Sequence, residues 1–241
     1  MTVPSVVSAA QAVAVAAQDR NPIIRWDYVV DQADDIAAAL LQHLELTLLS
    51  VAVGLAISAP LAALALRRSW ATNAITGFTG FLYTLPSVAL FALLVPVFGF
   101  SRLSTVIPLA SYTLLILVTN IIEGFRSVPE AVVDSANAMG LTPGRRVWSV
   151  ELPLAMPSII TGLRIATVST VGLLTVAAII GQGGLGRLIL DGLRRGFWTP
   201  MTVGAVLSVL LALFLDVLIL WLGRAVTPWT RAKRAAQAVG R

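Results

Sequence analysis

Hydrophobic residues in this chain are gathered into five long blocks, and most charged residues lie between them. Each block reaches the ~20 residues that an α-helix needs to cross a bilayer. The blocks are 44–66, 74–99, 104–124, 156–180 and 200–223. This pattern predicts an all-α integral membrane protein with five spans. The second block contains Pro86 and Pro96, which a span tolerates where neighbours bond the freed carbonyls, so we expect one helix there.

The segment that precedes the first block, 21–43, is too charged to span a membrane. Its apolar residues, among them Ile36 and Leu40, recur at helical spacing, which predicts an amphipathic helix lying on the outer surface. We therefore divide the chain into three parts. They are an N-terminal tail and extracytoplasmic helix over 1–43, a transmembrane domain over 44–223 and a basic cytoplasmic tail over 224–241.

Composition supports this assignment to the membrane. Only 12% of the residues are charged and the mean hydropathy is +0.87, whereas soluble domains are about 25% charged. The chain has no cysteine and a single histidine, His43, so we expect no disulfide, no metal site and no cofactor. The net charge of +5 is expected to mark loops on one side of the membrane, in contact with lipid, rather than to bind nucleic acid.

The positive charges are unevenly divided between the two sets of loops. One set holds ten Lys and Arg residues and the other holds six, while Arg164 lies inside the fourth block. The richer loops are 67–73, 125–155 and 224–241. Because cytoplasmic loops carry the excess of Lys and Arg, we predict an N-terminus outside and a C-terminus in the cytoplasm.

A polar stretch, DSANAMGLTPGRRVWSVELP at 134–153, interrupts the apolar pattern on the predicted cytoplasmic side. A connection between two helices usually needs about 5 residues, so this one is either a long solvated loop or a docking element for a soluble partner. Gly140 suits the end of one short helix, and Thr142-Pro143 suits the start of a second. We expect Pro153 and Pro157 to end that second helix before the fourth span.

The same stretch resembles the EAA motif of ABC importer permeases, E-A-A-x₃-G-x₉-I-x-L-P. Its spacing is kept throughout, although Asp134 stands in place of Glu and has a shorter reach. The resemblance implies a five-span type I permease in which 130–153 is the coupling elbow that docks on a cytosolic ATPase. The residues implied in coupling are Asp134, Ser135, Ala136, Gly140, Arg145, Val150, Leu152 and Pro153.

Two further runs, TLPSVALFALLVP at 84–96 and IIGQGGLGRLILDGL at 179–193, are similar to those of osmoprotectant permeases. That resemblance implies import of glycine betaine, carnitine, choline or proline betaine across a bacterial cytoplasmic membrane. It also implies cytosolic ATP-binding subunits, an extracytoplasmic substrate-binding protein and a second permease subunit, either a copy or a paralogue. A permease for methionine or another amino acid, which shares the five-span plan, stays open.

The glycine-rich run GQGGLG lacks the Lys-Ser/Thr of a P-loop and follows no strand. We therefore expect this chain to turn tightly there and to leave ATP hydrolysis to a partner. A membrane enzyme would need clustered acids, histidines or a nucleophile–base pair, which the chain does not offer. A channel without an ATPase would not explain the long polar stretch.

Asp216 lies deep in the fifth block, where an ionised group costs ~2.5–3.5 kcal/mol on insertion scales. We expect it either to pair with Arg164 or to face the transport path. The residues that we predict along a wide, permissive path are Tyr83, Pro86, Ser87, Asn120 and Asp216. Substrate selection is then expected to lie mainly on the binding protein.

Overall fold

The computed structural model describes residues 22–229 as a bundle of α-helices, and this part of the chain contains no strand. The two ends of the chain, 1–21 and 230–241, with most of both predicted tails, lie outside the described residues. The helices are α1 Trp26–Asp31, α2 Ala33–Arg67, α3 Ser69–Thr84, α4 Ser87–Phe98, α5 Arg102–Arg126, α6 Glu130–Ala138, α7 Pro143–Arg146, α8 Leu152–Val176, α9 Leu185–Arg195 and α10 Trp198–Val226. A π-helical segment, Val147–Glu151, joins α7 to α8, and a 3₁₀ turn, Ala177–Ile180, follows α8.

Within residues 22–229, four long helical segments are apolar enough to cross a membrane, and the pair α3–α4 brings the number to five if it counts as one span. The four are α2, α5, α10 and the continuous segment from α7 to the 3₁₀ turn. Helix α5 lies at the centre and packs against both α2 and α8, while α10 packs against α8 and α9. The predicted all-helical membrane fold is confirmed.

Small residues let the central helices approach each other closely. A Cβ on Gly124 of α5 would lie 2.8 Å from the carbonyl oxygen of Ala155 on α8. A Cβ on Gly162 of α8 would lie 2.8 Å from Cγ of Asn120 on α5. Close backbone approach through small residues is how helices associate where the surrounding lipid is as apolar as the side chains. Helices α5 and α8 therefore leave no room for added atoms at these two glycines.

The second block differs from its prediction, because it forms two helices that meet at 91° instead of one helix. Leu85, which precedes Pro86, is extended at φ −66° and ψ 137°. Proline disfavours the helical conformation for the residue before it and donates no backbone hydrogen bond, so α3 ends there. Pro96, in contrast, lies inside α4 without ending it.

The segment predicted as one surface helix before the first span is divided, because α1 covers Trp26–Asp31 and the rest continues into the first span. Residues 33–43 are the first part of α2, which runs unbroken for 35 residues and is about 52 Å long. Its residues Ile36 and Ala39 are buried against Leu185 and Leu188 of α9. One face of this part of α2 is thus covered by α9. Because α2 exceeds the ~30 Å hydrocarbon core, roughly two-fifths of it extends beyond the core.

The glycine-rich run forms the predicted tight turn between α8 and α9. Gly181, Gly183 and Gly184 adopt positive φ angles of 72°, 143° and 49°, which side chains with a Cβ rarely adopt. Gly184 lies against α2, where its Cβ would come within 2.7 Å of the backbone nitrogen of His43. The imidazole of His43 is itself buried, with ring nitrogens 3.2 Å from the carbonyl oxygen of Gly183 and 3.1 Å from that of Val171. The turn therefore fixes α9 to the first long helix.

Candidate functional site

The first arm of the polar stretch is α6, and it ends as the sequence predicts. Gly140 has φ +75°. Its N–H donates to the carbonyl of Asn137 at 2.9 Å, and the N–H of Leu141 donates to the carbonyl of Ala136 at 3.2 Å. These two bonds form a Schellman motif, the usual way in which a glycine ends a helix and turns the chain. Gly140 thus turns the chain sharply between the two arms of the elbow.

The second arm begins at the predicted place, with Thr142 as the N-cap residue and Pro143 in the first turn of α7. One arginine joins the two arms. The guanidinium of Arg146 donates from Nε to Glu151 at 2.6 Å and from NH1 to Oδ1 of Asn137, on α6, at 2.7 Å. Charge-assisted hydrogen bonds are among the stronger polar contacts in proteins. Arg146 therefore holds the elbow at a defined angle.

The prediction that Pro153 and Pro157 end the second arm is wrong. The helix continues from α7 through the π-helical segment into α8, so that residues 143–180 form one 38-residue helical segment. Proline clashes with the carbonyl four residues before it and has no N–H to donate. For Pro153 that carbonyl belongs to Ser149, which lies in the wider π turn. The extra room of this turn lets the chain pass Pro153 as a helix.

The elbow exposes large apolar side chains. Trp148 is 72% exposed and Met139 is 71% exposed. Polar residues of the predicted motif, Asp134, Ser135 and Arg145, are also exposed, whereas Ala136 is buried at 1% beneath the turn. Val150, Leu152 and Pro153 are partly buried where the elbow enters the bundle. The arrangement combines a rigid frame with an apolar surface, which suits docking of a soluble protein.

The residues predicted along the transport path separate into two groups. Tyr83, Pro86 and Ser87 lie together at the bend between α3 and α4. The ring of Tyr83 contacts that of Tyr112 on α5 edge to face, with centroids 5.9 Å apart. The hydroxyl of Tyr112 donates a hydrogen bond to the carbonyl of Leu85, so α5 satisfies a carbonyl that the bend frees.

Asn120 and Asp216 lie elsewhere in the bundle. Asn120 is in the contact between α5 and α8, where Ser158 donates to its carbonyl at 3.0 Å. Asp216 accepts two hydrogen bonds from the guanidinium of Arg164, at 2.7 Å and 2.8 Å. This pairing is one of the two alternatives that the sequence left open. The part of Asn120 and Asp216 in a transport path stays a prediction.

Sequence reasoning missed three residues of the elbow: Asn137, Arg146 and Glu151. Arg146 and Glu151 are five residues apart, a spacing that an α-helix does not bring together but a π-helical turn does. The hydrophobic pattern of the sequence does not indicate the π-helical turn. Among residues 22–229, no three His, Asp or Glu side chains are close enough together to hold a metal ion.

Comparisons with known proteins agree with this geometry. Residues 54–228 match the family described as the binding-protein-dependent transport system inner membrane component. The osmoprotectant import permease protein OsmW of Salmonella typhimurium is 35% identical over 206 residues, which cover 83% of this chain and 96% of that protein. The choline transport system permease protein OpuBB of Bacillus subtilis is 33% identical over 187 residues, covering 78% of this chain and 86% of that one.

Among solved structures, inward-facing conformations of the MetNI methionine ABC transporter share the fold. The TM-score is 0.74 at 20% identity, and the match covers 82% of this chain and 98% of the other. The family match, the identity to full-length permeases and the shared bundle lead to one conclusion. The chain belongs to the inner membrane components of binding-protein-dependent transport systems, the permease subunits of ABC importers.

Proposed function

We propose that this chain is the permease subunit of an ATP-driven importer for quaternary ammonium osmoprotectants, such as glycine betaine, carnitine, choline or proline betaine. The observation that carries this proposal is the 35% identity to an osmoprotectant import permease over nearly the whole of that protein. A second relative with 33% identity is named for choline transport. The chain itself performs no covalent chemistry in this scheme, and a separate ATPase hydrolyses ATP.

The elbow supports a coupling role in this scheme. Trp148 and Met139 supply an apolar surface for a groove on the ATPase, and Arg146 keeps the arms at a fixed angle. The second arm continues into α8 without a break. A displacement at the docking surface is therefore carried along one helix into the core of the bundle, which alternates access between the two sides.

The proposed orientation follows from the same placement. The elbow carries Arg145 and Arg146 and faces the cytoplasm, where the ATPase is found. The turn between α8 and α9, at the other end of α8, then faces outwards and receives the substrate-binding protein. The C-terminus is cytoplasmic and the N-terminus is outside, in agreement with the excess of positive charge in the elbow's set of loops.

A second permease subunit completes the pathway. Helix α10 leaves 78% of its most apolar stretch unburied, and α3 and α4 expose Phe78, Phe81 and Leu93. In a bilayer this surface faces lipid or another copy of the bundle. The alternative substrate class, methionine or another amino acid, gains no support from the methionine importer, because 20% identity shows the fold alone.

Uptake into proteoliposomes tests the proposal. The permease, its ATPase and its binding protein are reconstituted, and labelled glycine betaine is supplied with ATP inside. We expect uptake that needs both ATP and the binding protein and that excess choline or carnitine reduces, while methionine does not. Uptake of methionine in place of glycine betaine would assign the chain to the alternative class.

The coupling role has its own test in a pair of tryptophan variants. Trp148→Ala removes an exposed ring from the elbow, whereas Trp221→Ala removes an equally accessible ring, 65% exposed, from α10. We expect only Trp148→Ala to reduce co-purification of the ATPase and ATP-dependent uptake. Equal retention of the ATPase by both variants would remove Trp148 from the docking surface.

A further inference from the structure

A cavity of about 280 Å³ lies between α1, α2, α9 and the start of α10, well away from the elbow. It is smaller than the ~300–1,000 Å³ of pockets for drug-sized ligands, so it suits a small solute. Its lining includes two aromatic rings, two carboxylates and two guanidiniums. They are Tyr28, Phe197, Asp35, Asp191, Arg187 and Arg195.

The aromatic wall is built from two rings in contact. Tyr28 and Phe197 pack edge to face with centroids 5.0 Å apart and an interplanar angle of 78°. Phe197 is held in place by its backbone, because its N–H donates to the carbonyl of Gly192 at 2.9 Å. The guanidinium carbon of Arg25 lies 5.7 Å from the centroid of Phe197. Arg25 is paired with Asp27 and does not line the cavity, so its contact shows that the ring suits a cation without placing one in the cavity.

Three of the four charged residues of the cavity occupy one face of α9, and the fourth, Asp35, lies on α2. Arg187, Asp191 and Arg195 are four residues apart, a spacing at which opposite charges on a helix usually pair. Within residues 22–229, however, neither these three nor Asp35 takes part in an ion pair or a side-chain hydrogen bond. The cavity therefore offers both signs of charge to a ligand instead of neutralising them internally.

We infer that this cavity is a binding site for a small zwitterion that carries a quaternary ammonium group and a carboxylate. The methylated cation would lie against Tyr28 and Phe197 near the two carboxylates. The carboxylate of the ligand would meet the guanidiniums of Arg187 and Arg195, which suit planar oxygen pairs. The inference rests on the proposed function, which supplies the substrate class, and it adds a receiving site on the permease itself.

The location of the cavity fits a receiving site. It lies at the end of the bundle opposite the elbow, which is the outer end in the proposed orientation. Arg187 also lines a second cavity of about 670 Å³, which follows α2 past Gln42 and Glu45. A zwitterion released from the first cavity therefore meets a second cavity that shares one guanidinium. Weak binding here keeps substrate near the entrance without holding it against release.

The test measures binding to the transporter itself. The full permease chain is purified with its ATPase in nanodiscs without the binding protein, and ligand-observed NMR titrations use glycine betaine and choline as probes. We expect Phe197→Ala to weaken binding of both probes by about tenfold. Asp191→Asn should also weaken both, whereas Arg195→Gln should weaken glycine betaine and leave choline unchanged.

Neighbouring residues supply matched controls. Arg194→Gln removes the same charge as Arg195→Gln one residue away, and Asp34→Asn removes a carboxylate next to Asp35; both positions are exposed and outside the cavity. Both should bind the probes like the unaltered chain. Phe197→Tyr keeps a ring and should retain binding, so a loss confined to Phe197→Ala is not a folding defect. Co-purification of the ATPase verifies the fold of each variant.

Two results would overturn the inference. One is the absence of saturable binding of glycine betaine, or binding that the cavity variants leave unchanged. The other is unchanged binding together with a loss of stimulation by the binding protein, which would assign this surface to protein docking. Uptake by the unaltered, complete transporter separates the two proposals. If it imports glycine betaine but the cavity does not bind it, only this inference fails; if it imports no quaternary amine, the proposed function fails as well.

Discussion

Gly140 offers a specific test of the elbow, because the effect of its backbone conformation can be separated from that of steric contacts. Its φ of +75° is one that residues with a Cβ rarely adopt, yet no heavy atom lies within 4 Å of the place where a Cβ would stand. A substitution there strains the backbone without a steric clash. Gly144, in the first turn of α7, also has open space around it and has no positive φ. It is therefore the matched control.

The expected magnitude follows from that strain. An L-residue in the left-handed region costs about 1–2 kcal/mol, and a β-branched residue costs more. In such a variant, the undocked elbow can relax out of the strained turn, so docking has to restore that turn. Since 1.4 kcal/mol is a factor of ten, a cost of about 1–2 kcal/mol means that Gly140→Ala should weaken binding of the ATPase by about fivefold to thirtyfold. Gly140→Val should weaken it further, and Gly140→Asn least, because Asn tolerates this conformation.

The assay compares these variants in two measurements. ATPase binding is titrated on the permease in nanodiscs, and ATP-dependent uptake is measured in proteoliposomes. Membrane insertion should be unchanged for all, and Gly144→Ala should match the unaltered chain in both measurements. Full ATPase binding and full uptake by Gly140→Val would refute the reasoning that this turn positions the docking surface.

Three further predictions concern the spans. Asp216→Asn leaves Arg164 without its counter-charge and should lower the stability of the detergent-solubilised protein by about 1–3 kcal/mol, while the double change Arg164→Met with Asp216→Leu should recover much of it. Thermal unfolding of the two variants and of the unaltered chain measures this, and a double variant as unstable as the single one would contradict it. Tyr83→Ala should lower the transport rate modestly without reordering betaine, carnitine and choline, whereas exchange of the binding protein should reorder them; competitive uptake decides, and the reverse outcome would place selection on the permease. A cysteine at exposed Ala33 should react with an impermeant thiol reagent from outside and one at exposed Ser149 only after permeabilisation, and the opposite labelling would invert the orientation.

The sequence predicted those features that depend on local chemistry. The apolar blocks mark the long helices because a span must satisfy its backbone internally. Gly140 and Thr142-Pro143 mark the turn and the helix start because only a few residue types suit these positions. The three glycines after α8 mark the tight turn for the same reason.

The features that the sequence did not predict depend on distant partners. The bend at Pro86 has its carbonyl bonded by Tyr112, on another helix, and hydropathy contains no information on that contact. From the sequence alone, the first part of α2 has the pattern of a surface helix. In the structure, α9 covers its residues Ile36 and Ala39. The path of the helix past Pro153 depends on a π-helical turn and on the Arg146–Glu151 pair, which the turn brings together.

The close approach of α5 and α8 has a mechanical consequence. At Gly124 and Gly162 the two backbones have no free space between them, so the helices cannot slide past each other without separating. In the proposed coupling role, a displacement of the elbow that tilts α8 also tilts α5. Through the hydroxyl of Tyr112, that motion reaches the corner at Leu85, where α3 and α4 join. The α5–α8 pair thus forms one mechanical unit that connects the proposed docking residue Trp148 to the corner between α3 and α4.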